Sequence, residues 1–240
     1  MDKYSEQAEK MYSNEADTMD SQKREYVYVK SYKNIFNKMS FNYEDSVLDI
    51  GCGTGKMALA IGDRVKDYTG IDLSKKVLKI AERKKVKGQK FLQVNMLKTG
   101  FKNEQFSKII ALTSIDQVFA REDALLECNR ILDAKGSMYI EIRNNDYLFK
   151  KFFRKILPIF NKIGITKPMP IDGFKDLNYN EWISLIDKCG FYIVDKGSSL
   201  RPYYGDSLME KIRHMLIEIC KIVAVERYQY MLAFVLKKNK

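Results

Sequence analysis

The chain has 240 residues, of which 45% are apolar, 12% aromatic and 30% charged, a balance that fits one compact domain and excludes disordered, fibrous and collagen-like classes. With 42 Lys and Arg against 31 Asp and Glu the net charge is +11, which favours an anionic partner such as a phosphate-bearing substrate, an acidic membrane surface or nucleic acid. Four separated cysteines (Cys52, Cys128, Cys189, Cys220) with no C-x-x-C pair, and a single histidine, give a structural zinc site or a disulfide framework almost nothing to use, so no metal is expected. The uncharged apolar stretches are shorter than the ~20 residues that span a bilayer. Met1-Asp2-Lys3-Tyr4-Ser5-Glu6 also lacks a signal peptide's apolar segment, and a cytoplasmic location is expected.

Residues 3 to 39 carry helix formers and regularly spaced aromatics, which read as two helices ahead of the core. A repeating pattern starts at Ser46. Val47 to Ile50 reads as a buried strand, followed by a glycine turn, a helix over Lys56 to Val65 and a second strand at Tyr68 to Ile71. A helix over Ser74 to Lys85, a strand at Phe91 to Val94, a strand at Lys108 to Leu112, a helix over Glu122 to Leu132 and a strand at Ser137 to Ile142 follow. Strands alternating with helices of this length predict βαβ units and a parallel sheet covered on both faces. The last third adds a helix Asn180 to Cys189, a strand Phe191 to Val194, a helix Ser207 to Val223 and a strand Tyr228 to Leu236. One domain is expected, with N-terminal helices in 1–45, a core in 46–142, a cap insertion in 143–178, and the remaining strands in 179–240 around a helical insertion at 197–226. Both insertions leave the sheet at the carboxyl ends of strands, where open α/β sheets bind ligands.

The strongest local signal is Val47-Leu48-Asp49-Ile50-Gly51-Cys52-Gly53-Thr54-Gly55, a strand running into glycines that open a helix. Glycines there let the backbone turn sharply and approach a ligand, with helix N–H groups pointing into the crevice. A Walker A loop is excluded: the residue five before Gly55 is Ile50, and Lys56 is followed by Met57 rather than a hydroxyl residue. The dinucleotide fingerprint G-x-G-x-x-G is broken at Lys56. Together with Tyr68-Thr69-Gly70-Ile71-Asp72-Leu73-Ser74, the loop resembles the class I S-adenosylmethionine-dependent methyltransferases over roughly residues 40 to 142.

The resemblance implies a Rossmann-like α/β fold with a seven-stranded, mostly parallel sheet whose last strand is antiparallel, and S-adenosylmethionine as cofactor with S-adenosylhomocysteine as product. It implies that Asp49, Gly51, Cys52 and Gly53 hold the methionine part, that Asp72 accepts from the ribose hydroxyls and that Leu73 packs on adenine. Asn95 and Met96 stand in the third motif, with an amide where the family usually has an acid. Thr113, Ser114 and Gln117 occupy the motif beside the methyl group. Ser107 is another departure, standing where an acid is common, and Arg130 to Gly136 resembles the turn before strand five with one of its usual glycines missing.

For the acceptor, Thr113-Ser114-Ile115-Asp116-Gln117 differs from the Asn/Asp-Pro-Pro-aromatic run of amine-methylating DNA enzymes, and no cysteine follows a proline as in the cytosine C5 enzymes, so no DNA substrate is expected. Asp116 with Asn144-Asn145-Asp146 mimics the acids of a catechol-type metal site, though acids at loop starts are ordinary. Candidates to deprotonate or orient an acceptor are Tyr12, Asp116, Glu141, Arg143, Tyr203, Tyr204 and His214, the last also reading as a solvated residue spaced four from Glu210 and Glu218. Residues 147–163 form a basic amphipathic pattern that lies in an anionic membrane interface or lids the site. The expected acceptor is a small molecule, foremost a hydroxyl of a sugar, glycan or metabolite. The alternatives are a lipid or quinone-type acceptor at the inner face of the membrane, and a cofactor-binding partner without activity.

Overall fold

The computed structural model describes residues 3–16, 32, 35–145, 177–198 and 231–239. Its elements in chain order are α1 (Lys3–Glu15), β1 (Ser46–Ile50), α2 (Lys56–Ile61), β2 (Asp67–Asp72), α3 (Lys75–Lys84), β3 (Gln89–Gln93) and β4 (Phe106–Leu112). After a 3-10 turn at Ile115–Gln117 come α4 (Arg121–Ile131), β5 (Leu132–Arg143), α5 (Tyr179–Lys188), β6 (Phe191–Ser198) and β7 (Met231–Lys238). The helices expected over Ser207 to Val223 and within 147–163 fall outside the described residues.

The sheet has seven strands in the order β3-β2-β1-β4-β5-β7-β6. β7 runs antiparallel to both β5 and β6, and the pairings among β1 to β5 are parallel. The parallel part is what the alternating pattern predicts, and the seven strands with an antiparallel last one are what the resemblance implies. Central β1 has to be apolar on both sides, and Val47, Leu48 and Ile50 are all buried. The strand order reverses direction between β1 and β4, so a crevice opens above their carboxyl ends.

Each face of the sheet carries a helical layer. On one, Ala124, Leu125 and Cys128 of α4 and Trp182 and Ile186 of α5 pack against Leu48, Ile109 and Ile140. On the other, Met57 and Ile61 of α2, Leu78 and Ala81 of α3, and Ile35 and Met39 ahead of β1 pack against Val47, Tyr68 and Tyr139. Helix starts follow side-chain chemistry. Ser74 accepts from Val77 N ahead of α3, and Asn178 with Glu181 makes a reciprocal capping box ahead of α5.

Two local expectations change. β5 begins at Leu132, directly after α4, so the stretch read as a turn before strand five is strand with a shifted register against β4. Ser107, standing where an acid is common, donates to Asp45 Oδ1 at 2.7 Å and accepts from Ser46 N at 3.1 Å, so a carboxylate reaches this spot from before β1.

Glu127 on α4 accepts from Arg130 Nε and Nη2 and from the Thr99 hydroxyl and amide, tying the loop after β3 to the helix. These bonds, Arg130 foremost, hold its carboxyl down at about 2. A lowered folded-state value means stability that is full above the ordinary glutamate range and lost as pH falls towards 2. Glu127→Gln is expected to cost about 1 kcal/mol at pH 7 and progressively less on acidification, read from urea unfolding at neutral and acid pH.

Candidate active site

Above the carboxyl ends of β1 and β4 lies a cavity of about 350 Å³. The glycine loop forms its floor. Gly51 sits at φ 72° and Gly53 at φ 52°, in the left-handed region. Gly51 N and Cys52 N both donate to Ile71 O, at 2.8 and 3.0 Å, fastening the loop to β2. A Cβ on Gly51 would lie 2.5 Å from Ser114 Cβ, whereas one on Gly53 would meet nothing within 4 Å. Gly51 is thus where the loop presses on the segment after β4, and Gly53 is where the backbone is bare towards open space.

Asp72 ends β2. Its Oδ2 accepts from Gly53 N at 3.0 Å and its Oδ1 from Ser74 N at 2.9 Å. Burial raises its carboxyl above the ordinary aspartate range, against the opposing pull of those amides and of Leu73 N. Asp49, 2% exposed, accepts from the Tyr68 hydroxyl at 2.5 Å. Burial, then the Asp49 charge, pushes the Tyr68 phenol up, so it stays protonated and donating. Burial followed by Asp49 and Asp72 likewise raises the Cys52 thiol.

Of the residues that the sequence marks for the cofactor, Asp49, Gly51, Cys52, Gly53, Asp72, Leu73, Met96 and Thr113 line the cavity. Asn95 is not among the lining residues; its Oδ1 accepts from Leu97 N at 2.9 Å and closes a local turn. Val77 and Val94 complete an apolar wall with Leu73 and Met96. Across from it stand Thr113, Ser114, Gln117 and Val118. Thr113 adopts φ 52°, a costly conformation for a β-branched residue, held by Thr113 N donating to Glu141 O at 2.9 Å. That kink aims the following turn back at Gly51.

The catalytic candidates separate. Tyr12 lines the cavity. Asp116, 1% exposed, instead pairs with Arg143 Nε at 2.7 Å, joining the carboxyl ends of β4 and β5 outside the lining set. Glu141 is buried and accepts from the Tyr139 hydroxyl at 3.2 Å, also outside that set. Tyr203, Tyr204 and His214 lie outside the described residues. Among the described residues no group of three or more His, Cys, Asp or Glu is arranged to hold a metal ion. Sequence reasoning missed Tyr32, 4% exposed, and Lys56 in the lining. The regular aromatic spacing before β1 was the only available signal for Tyr32.

Residues 48–140 match the model of a methyltransferase domain. The chain is 27% identical over 194 residues to a demethylmenaquinone methyltransferase of Alkalihalophilus pseudofirmus, covering 72% of this chain and 79% of that one. It is 29% identical over 188 residues to an uncharacterised protein of Methanocaldococcus jannaschii, covering 70% and 72%. Among solved structures it superposes with a TM-score of 0.70 at 14% identity on the methyltransferase of a Haloferax volcanii complex with the Trm112 methyltransferase activator, covering 95% and 98%. That likeness shows the fold.

Three substitutions separate the roles of the loop and its anchors. Gly51→Ala and Gly53→Ala share the strain of a left-handed backbone, but Gly51→Ala also collides with Ser114 and is expected to lose more stability than Gly53→Ala, whose methyl meets open space. Tyr68→Phe, which removes one hydrogen-bond donor from the buried Asp49 carboxylate, is expected to cost about 2 kcal/mol. Urea unfolding of the three variants against wild type reads both.

Proposed function

We propose, from the premise that this chain is a class I S-adenosylmethionine-dependent methyltransferase, that it methylates a small molecule of the quinone or quinol type. The residues of the cavity fit the cofactor. Gly53 leaves bare backbone facing open space, and the Asp72 carboxylate, held by Gly53 N on one oxygen and Ser74 N on the other, can still accept from hydroxyl donors. Asp72 would hold the ribose, the Gly51 to Gly53 backbone the methionine part, and Leu73, Val77, Val94 and Met96 the adenine. Bound there, S-adenosylmethionine supplies an electrophilic methyl group that an acceptor takes by direct displacement, so the protein's task is alignment and exclusion of water. Thr113, Ser114, Gln117 and Val118 form the side from which an acceptor approaches.

One observation carries the acceptor class. Of the described catalytic candidates only Tyr12 lines the cavity, while Glu141 and Asp116 accept from Tyr139 and Arg143 outside it. A phenol is a weak base partner for an aliphatic alcohol but suits a ring hydroxyl of similar acidity, or an electron-rich ring carbon that such a hydroxyl activates. The resemblance to a demethylmenaquinone methyltransferase supports the same class. The second reading, a sugar or metabolite hydroxyl, is favoured by the row Thr113, Ser114 and Gln117, whose hydroxyls and amide suit a polar acceptor. A glycan or lipid-linked acceptor and membrane contact through 147–163 belong with these readings, and that segment lies outside the described residues.

Calorimetric titration with S-adenosylhomocysteine, with NAD as control, is expected to give micromolar binding that Asp72→Ala abolishes. Because the Asp72 carboxyl is raised, acidification removes its charge at a higher pH than for an ordinary aspartate. Affinity should therefore start to fall above that range, and Asp72→Asn should flatten the profile. Transfer of labelled methyl from S-adenosylmethionine to short-chain quinols, compared with nucleotide sugars, decides the acceptor. Turnover of sugars alone overturns the quinone reading, and no turnover with any acceptor favours the inactive-partner alternative.

A further inference from the structure

Among the described residues the densest run of positive charge lies on and after α3. Residues 75 to 90 carry eight cations and one anion, leaving a net charge of only +4 for the other 224 residues. α3 occupies most of that segment and packs on β3, the outermost strand at one edge of the sheet. Its apolar residues Val77, Leu78 and Ala81 face inwards. Lys75, Lys79 and Arg83 recur on successive turns of the opposite face, with Lys76 beside them, all exposed. Lys87 and Lys90 extend the row past the helix end, again exposed. Within the row Lys85 pairs with Glu82 at 2.6 Å and Lys84 turns inward to Thr54 O. Among the described residues Lys75, Lys79, Arg83, Lys87 and Lys90 have no ion-pair partner.

We propose that this ridge docks the protein on an anionic phospholipid bilayer. Charge complementarity requires a polyanion: the ten residues of α3 alone span about 15 Å, more than a Debye length at physiological salt, so the cations act as an extended strip rather than as a site for one small ion. Composition selects a lipid surface over RNA. Seven of the eight cations are Lys, which bind headgroups as hydrated point charges, rather than Arg with its planar fork. No exposed aromatic ring lies on α3 or β3 to stack a base, and the exposed apolar residues of this edge are the aliphatic Val86 and Leu92. The ridge also begins at the cavity: Leu73 and Val77 line it, and Lys75 and Lys76 between them face outwards. Docked this way, the rim of the cavity sits against the headgroups, where a lipid-soluble acceptor is reached.

The proposal rests on the quinone-type reading for its purpose but is tested without any acceptor. Full-length protein is sedimented with vesicles of phosphatidylcholine alone or with about one third phosphatidylglycerol, at low and physiological salt. Binding is expected to the anionic vesicles only and to weaken steeply with salt. The variant Lys75→Glu, Lys79→Glu, Arg83→Glu, Lys87→Glu is expected to lose at least ~tenfold in partitioning while binding S-adenosylhomocysteine like wild type. The milder set of the same four residues changed to Gln serves if the first misfolds. Equal binding by wild type and variant overturns the proposal, as does absence of binding to anionic vesicles, or an RNA shift abolished in the variant without vesicle binding. Methylation of a water-soluble short-chain quinol in the absence of vesicles tests the acceptor reading separately, so the two can fail independently.

Discussion

One carboxylate ties the site together. Asp72 accepts from the glycine loop on one oxygen and from the residue that caps α3 on the other. β1, β2 and α3 therefore converge on a single partly buried charge, and the loop is tied to an acid about twenty residues further along the chain. The sheet makes this possible, because the parallel pairing of Asp49 with Gly70 and of Ile50 with Ile71 brings both loop openings to the same height. A parallel βαβ step thus acts as a distance rule: the acid must end the second strand to reach the glycines after the first.

The opposite side of the crevice is held by contact instead of charge. Thr113 takes a strained left-handed backbone, anchored by its amide on Glu141 O, and the turn that follows presses Ser114 against Gly51. Behind it Asp116 and Arg143 lock the ends of β4 and β5, and the Trp182 indole donates to Arg143 O at 3.1 Å. Acidic and basic groups that look chemical in a linear reading are here used to fix the strand ends behind the site. Buried pairs of this kind are costly to break, which is why they occur where strand ends must not drift.

Much of this was legible in the sequence, for definite physical reasons. Buried strands of a parallel sheet read as short apolar runs, and the glycine-rich turn with an acid one βαβ step later is a long-range pattern that few other arrangements produce. Asp49, Gly53 and Asp72 could therefore be placed together before any coordinates. What could not be read was side-chain commitment. Nothing local announces that Asp116 faces Arg143, that Asn95 turns back on its own loop, or that Asp45 stands in for an acid at Ser107. Each depends on a partner 2 to 62 residues away whose direction is set only once the strands are in register. The Lys-rich stretch on α3 was not picked out from the sequence, because its meaning as a single outward strip depends on knowing which face of α3 the sheet covers.

Cys52 brings a soft nucleophile into the same space. It lies in the wall of the cavity proposed for the methyl donor, where a thiolate would be a nucleophile open to alkylation. Burial and the neighbouring Asp49 and Asp72 keep it as a neutral thiol. Burial foremost, and then the two carboxylates that organise the loop, thus favour the protonated, less nucleophilic form of the sulfur, so the charges that shape the loop also bear on the reactivity of the thiol in its wall.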